Sequence, residues 1–264
     1  MVPYWVKQIQ PAYPDLLWAR PETVAMSGKL LIVGGNVHSF VAPAQAFSIS
    51  KKAGAGTVRV IMPSALQKTV TKIFPEADYA PSNPSGGLSM LALGELLDAA
   101  SWSDCVLLSG DIGKNSETVA MLENFAREYT GLLTITKDAA DAFCNGTPWV
   151  SNRHNTLLVI SLGQLQNLAR QLKFPIAITS DLDAYHLVER LHKFTEAHPN
   201  LIIITRSRDT SFVAVGGQVS TTKTSLGNLW RVNSAAYASV WWLQNTTKPF
   251  ESLTTSLYIE SQIK

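Results

Sequence analysis

The chain has 264 residues, of which 46% are apolar, 9% aromatic and 16% charged; that is enough apolar material for a full core, which excludes a disordered tail and points to one large domain. Its 22 Lys and Arg against 20 Asp and Glu leave a net charge of +2, and no basic run interleaved with aromatics occurs, so nucleic acid is not an expected partner. Cys105 and Cys144 lack paired Cys/His metal spacing and sit in apolar surroundings, so they read as small buried hydrophobes rather than a disulfide framework.

The opening Met1-Val-Pro-Tyr-Trp-Val-Lys has no basic segment followed by an apolar one, so a cytoplasmic location is expected. Leu30 to Ser50, the longest stretch without Asp, Glu, Lys or Arg, contains two Gly, Asn36, His38 and Pro43. In hydrocarbon those groups would go unsatisfied, so no membrane span is expected.

Residues 1–28 read as an irregular or partly helical lead-in. From Lys29 onward, short β-branched runs alternate with amphipathic stretches, the pattern of a mostly parallel sheet covered by helices. Strands are predicted at Lys29–Gly34 and Thr57–Met62 around a helix at Ala42–Ala53, one βαβ unit. Further strands are predicted at Asp104–Ser109, Leu132–Thr136, Thr156–Ser161, Ile176–Thr179 and Asn200–Thr205, with helices at Ser116–Glu128, Gly163–Leu172 and Asp183–Ala197. Tyr79–Gly87, rich in Pro, Ser, Asn and Gly, reads as a surface loop.

Between Asp209 and Thr222 a Gly-Gly pair separates two β-prone runs, so a hairpin turns the sheet edge antiparallel. Helices at Val232–Gln244 and Glu251–Gln262 close the chain. Trp241 and Trp242 are adjacent, so in a helix they point in different directions. Core packing on the sheet is the plain reading of the pair, and one indole at a subunit interface is the alternative, leaving a homo-oligomer open.

Gly54-Ala55-Gly56 closes a helix and opens a strand, the reverse of a dinucleotide fingerprint, and reads as a helix C-cap. Gly34-Gly35-Asn36-Val37-His38-Ser39 has the strand-then-helix order of a ligand loop at the carboxyl ends of parallel strands. It forms either a binding loop offering Asn36 and His38 or a tight turn whose polar groups satisfy the backbone. Ser109-Gly110-Asp111-Ile112-Gly113-Lys114-Asn115-Ser116 also follows a strand and precedes a helix. Asp111 there works against an anion and no phosphate-loop spacing is present, which favours a solvated connection. His154, His186, His192 and His198 show no ligand clustering and read as solvated helix positions, with no metal expected. No Gly-x-Ser-x-Gly elbow supports a hydrolase.

Residues 29–47 followed by Ala-Gly-Ala-Gly-Thr-Val-Arg-Val at 53–60 resemble the opening of the ATP- or ADP-dependent NAD(P)H-hydrate dehydratases of the ribokinase-like superfamily, and the order of features fits over about residues 25–245. The resemblance implies a three-layer α/β/α fold and a reaction in which nucleotide phosphate, with Mg, activates a hydroxyl of hydrated NAD(P)H. It also implies a Gly-x-Gly-Asp turn that supplies a base and bare helix amides for the transferred phosphoryl group. In the segment Ser225–Tyr237 the matching register is Val232-Asn233-Ser234-Ala235, so the family's aspartate is Ala235, and no Asp or Glu occurs from Thr210 to Phe250. Val232 and Ser234 would crowd the anion site, although Arg231 adds charge and Asn233 or Ser234 could cap the helix.

Other family positions depart as well. Pro-His-Pro-Gly-Glu-Phe becomes Ile160-Ser-Leu-Gly-Gln-Leu165, keeping only Gly163; Asp-Ala-Asp becomes Ile135-Thr136-Lys137, with Asp138 matching only after a shift; Lys-Gly becomes Thr205-Arg206. Gly34, Gly35 and Ala42 persist. The resemblance therefore implies a retained scaffold without the phosphoryl-transfer apparatus, with no assigned catalytic residue. Candidate ligand contacts for a nucleotide-like molecule are Gly34, Gly35, Asn36, His38, Ala42, Gly110, Asp111, Gly163, Arg206, Asn233 and Ser234. The alternative is an active nucleotide-dependent dehydratase or small-molecule kinase whose base is Asp111 or Asp138, using ATP or ADP with Mg.

Overall fold

The computed structural model describes residues 2–145, 148–225 and 227–262. One ten-stranded sheet runs through it in the order β1-β10-β9-β8-β7-β6-β5-β2-β3-β4. In chain order the strands are β1 (Trp5–Gln8), β2 (Lys29–Gly34), β3 (Thr57–Pro63), β4 (Ala77–Ala80), β5 (Cys105–Gly110), β6 (Leu132–Thr136), β7 (Thr156–Val159), β8 (Leu201–Ser207), β9 (Thr210–Val215) and β10 (Gln218–Lys223). Only the β8–β9 and β9–β10 pairings are antiparallel. The turn of the β9–β10 hairpin is Gly216-Gly217, with φ of +52° and +85°. Two consecutive positive φ angles are what a tight hairpin turn needs to match strand twist, and glycine supplies them without steric penalty.

The helices are α1 (Asp15–Trp18), α2 (Val41–Lys52), α3 (Gln67–Val70), α4 (Leu93–Trp102), α5 (Ser116–Glu128), α6 (Ala139–Asn145), α7 (Leu162–Gln171), α8 (Ala184–Ala197), α9 (Trp230–Gln244) and α10 (Pro249–Gln262). Side-chain alternation along the strands divides the core in two. Leu31, Val33, Val106, Leu108, Leu133 and Ile203 pack under α4, α5, α6, α7 and α8. Leu30, Ile32, Leu107, Leu157, Ile202 and Ile204 pack under α2, α9 and α10. This is the three-layer α/β/α architecture expected, and because the central strands are buried on both faces their sequences read as continuous apolar runs. No helix among the described residues is long and apolar enough to cross a membrane.

Four sequence expectations are corrected. Ile176–Thr179 is not a strand: β7 and β8 are hydrogen-bonded directly to each other, so no slot exists between them, and the segment runs over the surface with Ile178 tucked into the core. The lead-in is partly ordered as a strand. β1 adds parallel to β10, held by Trp5 Nε1 donating to Thr221 Oγ1 at 3.0 Å and by Gln8 Nε2 donating to Thr222 Oγ1 at 2.8 Å. The segment Tyr79–Gly87 begins inside β4 and is not all surface, since Asn83 is buried. Finally, Trp241 and Trp242 are both buried, which removes the interface reading of the pair. Helix α9 lies between the middle of the sheet and α2 and α10, and every residue from Ser234 to Leu243 is buried; a helix covered on several sides buries adjacent indoles in different directions, Trp241 beneath the Arg20 guanidinium.

Candidate functional site

The carboxyl ends of β2, β5 and β6 meet the amino ends of α2 and α9 at one end of the sheet. The loop after β2 is shaped by its own polar groups. The Gly35 amide donates to Gly110 O at 3.0 Å, the His38 amide to Asn36 Oδ1 at 2.8 Å, and Asn36 Nδ2 to Asp111 O at 2.5 Å. Gly34, Gly35, Asn36, Ala42, Gly110 and Asp111 are thus brought together, while His38 is exposed. The tight-turn reading describes what Asn36 does here.

Asp111 is the centre of this cluster. It is only 9% exposed and holds a φ of +58°. One carboxylate oxygen accepts the Ser39 hydroxyl and the Ala42 amide, both at 2.7 Å; the other accepts Lys137 Nζ at 2.5 Å. The carboxylate therefore sits on the first turn of α2, where partial positive charge favours an anion. Burial pushes its pKa up, but the Lys137 ammonium, the Ala42 amide and the Ser39 hydroxyl together outweigh this and hold it below the usual carboxylate range. The loop carrying Asp111 is no solvated connection, because Ile112 is also buried.

A second carboxylate fills the loop itself. Asp138 Oδ1 accepts the Asp111 amide at 2.7 Å and Oδ2 the Gly113 amide at 3.0 Å. Such successive amides form an anion-binding concavity, and here the chain's own side chain occupies it. Gly110 makes the approach possible: its φ is +98°, and a Cβ there would lie 2.6 Å from Lys137 Cβ and 2.8 Å from Asp138 Oδ1. At the start of α5 the amides of Glu117 and Thr118 are capped by Asn115 Oδ1.

The opposite wall comes from α9. It starts at Trp230, two residues earlier than expected, with Leu229 as N-cap, so Val232–Ala235 lie within the helix. Leu226, in the same segment, lies outside the described residues. The amides of Val232 and Asn233 both donate to Leu229 O, at 3.0 and 3.1 Å, and neither Asn233 nor Ser234 caps the helix, which corrects that expectation. Asn233 Oδ1 instead accepts Gln45 Nε2 from α2 at 3.0 Å. Arg231 donates to Gln164 Oε1 at 3.0 Å, and Gln164 Nε2 donates to Lys137 O and to Asp141 Oδ1. Gln164 and Ser161 form a capping box on α7; Gly163, beside them, is exposed.

Ser234 and Arg206 belong elsewhere. Ser234 Oγ donates to Glu260 Oε2 of α10 at 2.7 Å. Glu260 is buried, its other oxygen has no partner, and burial pushes its pKa up to about 8 against the lowering effects of Ser234 and Arg206. The sequence reading of an acid-free α9 missed this carboxyl because it arrives from 26 residues away. Asn83 was missed too: its Nδ2 donates to Leu88 O and Thr118 Oγ1, and its Oδ1 accepts from Ser85 and Gly87. The turn signal Asn-Pro-Ser-Gly-Gly could have found it. The loop it organises docks beside Asn36, where the Val37 amide donates to Gly86 O at 2.9 Å.

The other titratable candidates stand apart. His154 and His186 are exposed, and His186 pairs with Asp183 at 2.9 Å. His192 is not solvated: its ring stacks on Tyr4 at 3.6 Å and bonds Gly217 O at 2.5 Å. Cys105 and Cys144 are buried and free, their thiols pushed up to about 12 by burial. Among the described residues no group of three or more His, Cys, Asp or Glu is placed to hold a metal ion.

Neither models of known protein families nor the curated proteins give a match to this sequence. Solved structures do match in fold. A ribokinase-like superfamily protein from Enterococcus faecalis V583 aligns over 99% of this chain and 88% of its own at 14% identity and a TM-score of 0.75. The ADP/ATP-dependent NAD(P)H-hydrate dehydratase from Bacillus subtilis, co-crystallised with ATP/Mg2+, aligns over 97% and 88% at 10% identity and a TM-score of 0.65. Phosphomethylpyrimidine kinase from Clostridium difficile 630 aligns over 88% and 99% at 9% identity and a TM-score of 0.55. The chain has the ribokinase-like fold. That fold is shared by small-molecule kinases and by a nucleotide-dependent dehydratase, so the chemistry has to be argued from the site.

Proposed function

We propose that this chain is a non-catalytic protein of the ribokinase-like fold, acting as a binding or partner subunit rather than as a dehydratase or kinase. One observation carries the reading: the groups that would meet a transferred phosphoryl group are already bonded within the chain. Asp138 takes the amides of Asp111 and Gly113, Asp111 takes the first turn of α2, and the α9 amides of Val232 and Asn233 are turned into the helix. The position assigned to the family's base is Ala235, fully buried. These residues do not fit an ATP·Mg or ADP·Mg complex.

A ligand retained by such a protein is a nucleotide-like molecule, met by side chains such as those of Asn36, Asn233 and Arg231 rather than by backbone amides. Titration calorimetry with ATP, ADP, NADH and NADPH tests this. Binding of any one supports the binding subunit, and silence with all four leaves only the partner subunit.

The second reading is an active dehydratase or kinase with a relocated base, favoured by the pairing of buried Asp111 with half-buried Lys137 beside Ser39. Asp111 held below the usual carboxylate range is a weak proton acceptor. A coupled assay on hydrated NADH with ATP or ADP and Mg2+ separates the two. The expected result is no turnover; turnover abolished by Asp111→Ala would establish the enzyme.

A further inference from the structure

About ten residues along α2 from the cleft, roughly 15 Å at 1.5 Å per residue, lies a groove that the reading above does not use. We propose that this groove, walled by Leu17, Trp18, Arg20, Lys52, Trp241 and Ile259, is a binding site for small molecules that join a planar aromatic ring to a carboxylate or phosphate group. The proposal is independent of what the cleft does.

The cavity encloses about 500 Å³, within the range of small-ligand sites. Its floor is buried Trp241 and its rim is Trp18, an indole 88% exposed to solvent. An indole with an open face beside a concave apolar wall is a stacking surface for a flat ring. The lining carries two cations, Arg20 and Lys52, and neither Asp nor Glu, so the charge asks for an anion.

Arg20 gives the independent sign of an absent partner. Its guanidinium lies 4.2 Å from the centre of the Trp241 ring, and Nη2 donates to Ala53 O. Nη1, by contrast, is buried with no acceptor. A guanidinium left with an unsatisfied buried donor is in a poor resting state. An oxyanion in the groove, toward which Arg20 turns, supplies two acceptors in the geometry a guanidinium favours. Lys52, exposed at the end of α2, adds a second charge at the rim.

The test is calorimetric titration of the full chain with 1-naphthoate, with AMP, and with the neutral 1-naphthalenemethanol. Saturable binding at about millimolar concentration or below is expected for an anionic probe, with the neutral probe about tenfold weaker. Trp18→Ala and Lys52→Ala, both surface changes, should each weaken binding about tenfold while leaving the thermal melt in place. Binding of 1-naphthoate alone assigns the site to aromatic carboxylates; binding of AMP assigns it to nucleotide phosphates. Failure of both anions to bind, or binding that is the same in Trp18→Ala as in the parent chain, overturns the proposal.

Discussion

Asp111, in the loop after β5, reaches the first turn of α2, where its carboxylate accepts the Ala42 amide at 2.7 Å. A contact spanning 69 residues thereby ties two strand-end loops together, and Lys137 locks it from a third. This pinned arrangement sets the first expectation.

Asp111→Ala should destabilise the chain by about 2–4 kcal/mol, because it leaves a half-buried ammonium, a buried amide and a hydroxyl without their acceptor. The pH dependence has a definite sign. The folded state holds Asp111 below its unfolded value, so its contribution is fully present above the ordinary carboxylate range and is lost as pH falls through the lower, folded pKa. Urea unfolding from pH 7 down to about pH 3 should show a loss of stability on acidification that is smaller in Asp111→Asn. An unchanged acid limb in that variant would count against the contact.

Glu260 behaves in the opposite sense. Its folded pKa is raised from about 4.5 to about 8, so the native state binds the extra proton and stability falls as pH rises through that interval, levelling off above it. Glu260→Gln keeps a hydrogen-bonding group beside Ser234 and removes the charge. Unfolding curves at pH 9 should show the variant more stable than the parent, with the difference shrinking toward pH 5.

Trp242→Ala should cost about 3–5 kcal/mol through the cavity it opens, since the indole is 2% exposed within a single chain. Sedimentation of the folded variant should show the same oligomeric state as the parent. A shift in that state at unchanged stability would return the indole to an interface.

Two glycines near the cleft should respond differently to one methyl group. Gly110→Ala forces a side chain into φ +98° and against Lys137 and Asp138, and should destabilise by at least about 1–3 kcal/mol. At Gly163, in the first turn of α7, a Cβ meets only Ser161 Oγ at 4.0 Å, so Gly163→Ala should be neutral or stabilising by up to about 1 kcal/mol. Paired thermal melts check both.

Much of the scaffold was legible because it depends on local pattern. The apolar run of β2, the β-branched run of β6 and the capped, amphipathic α5 ended where their sequences said they would, and Gly216-Gly217 marked the hairpin. β1 and β4, each four residues long, were missed because short edge strands carry too few alternations to register. Ile176–Thr179 was misread for the complementary reason: β propensity does not make a strand without a neighbour to pair with.

The residue string by itself determined the mostly parallel sheet covered by helices, the hairpin, the absence of any carboxyl between Thr210 and Phe250, and the Gly-rich loops at the strand ends. Those are properties of composition and period. Only the tertiary structure decided that Asp138 fills the loop of Gly110–Gly113, that Glu260 comes to rest on Ser234, and that both tryptophans of α9 face core. A parallel sheet gathers its strand ends from distant parts of the chain, so which charge meets which amide is fixed by packing rather than by spacing along the sequence.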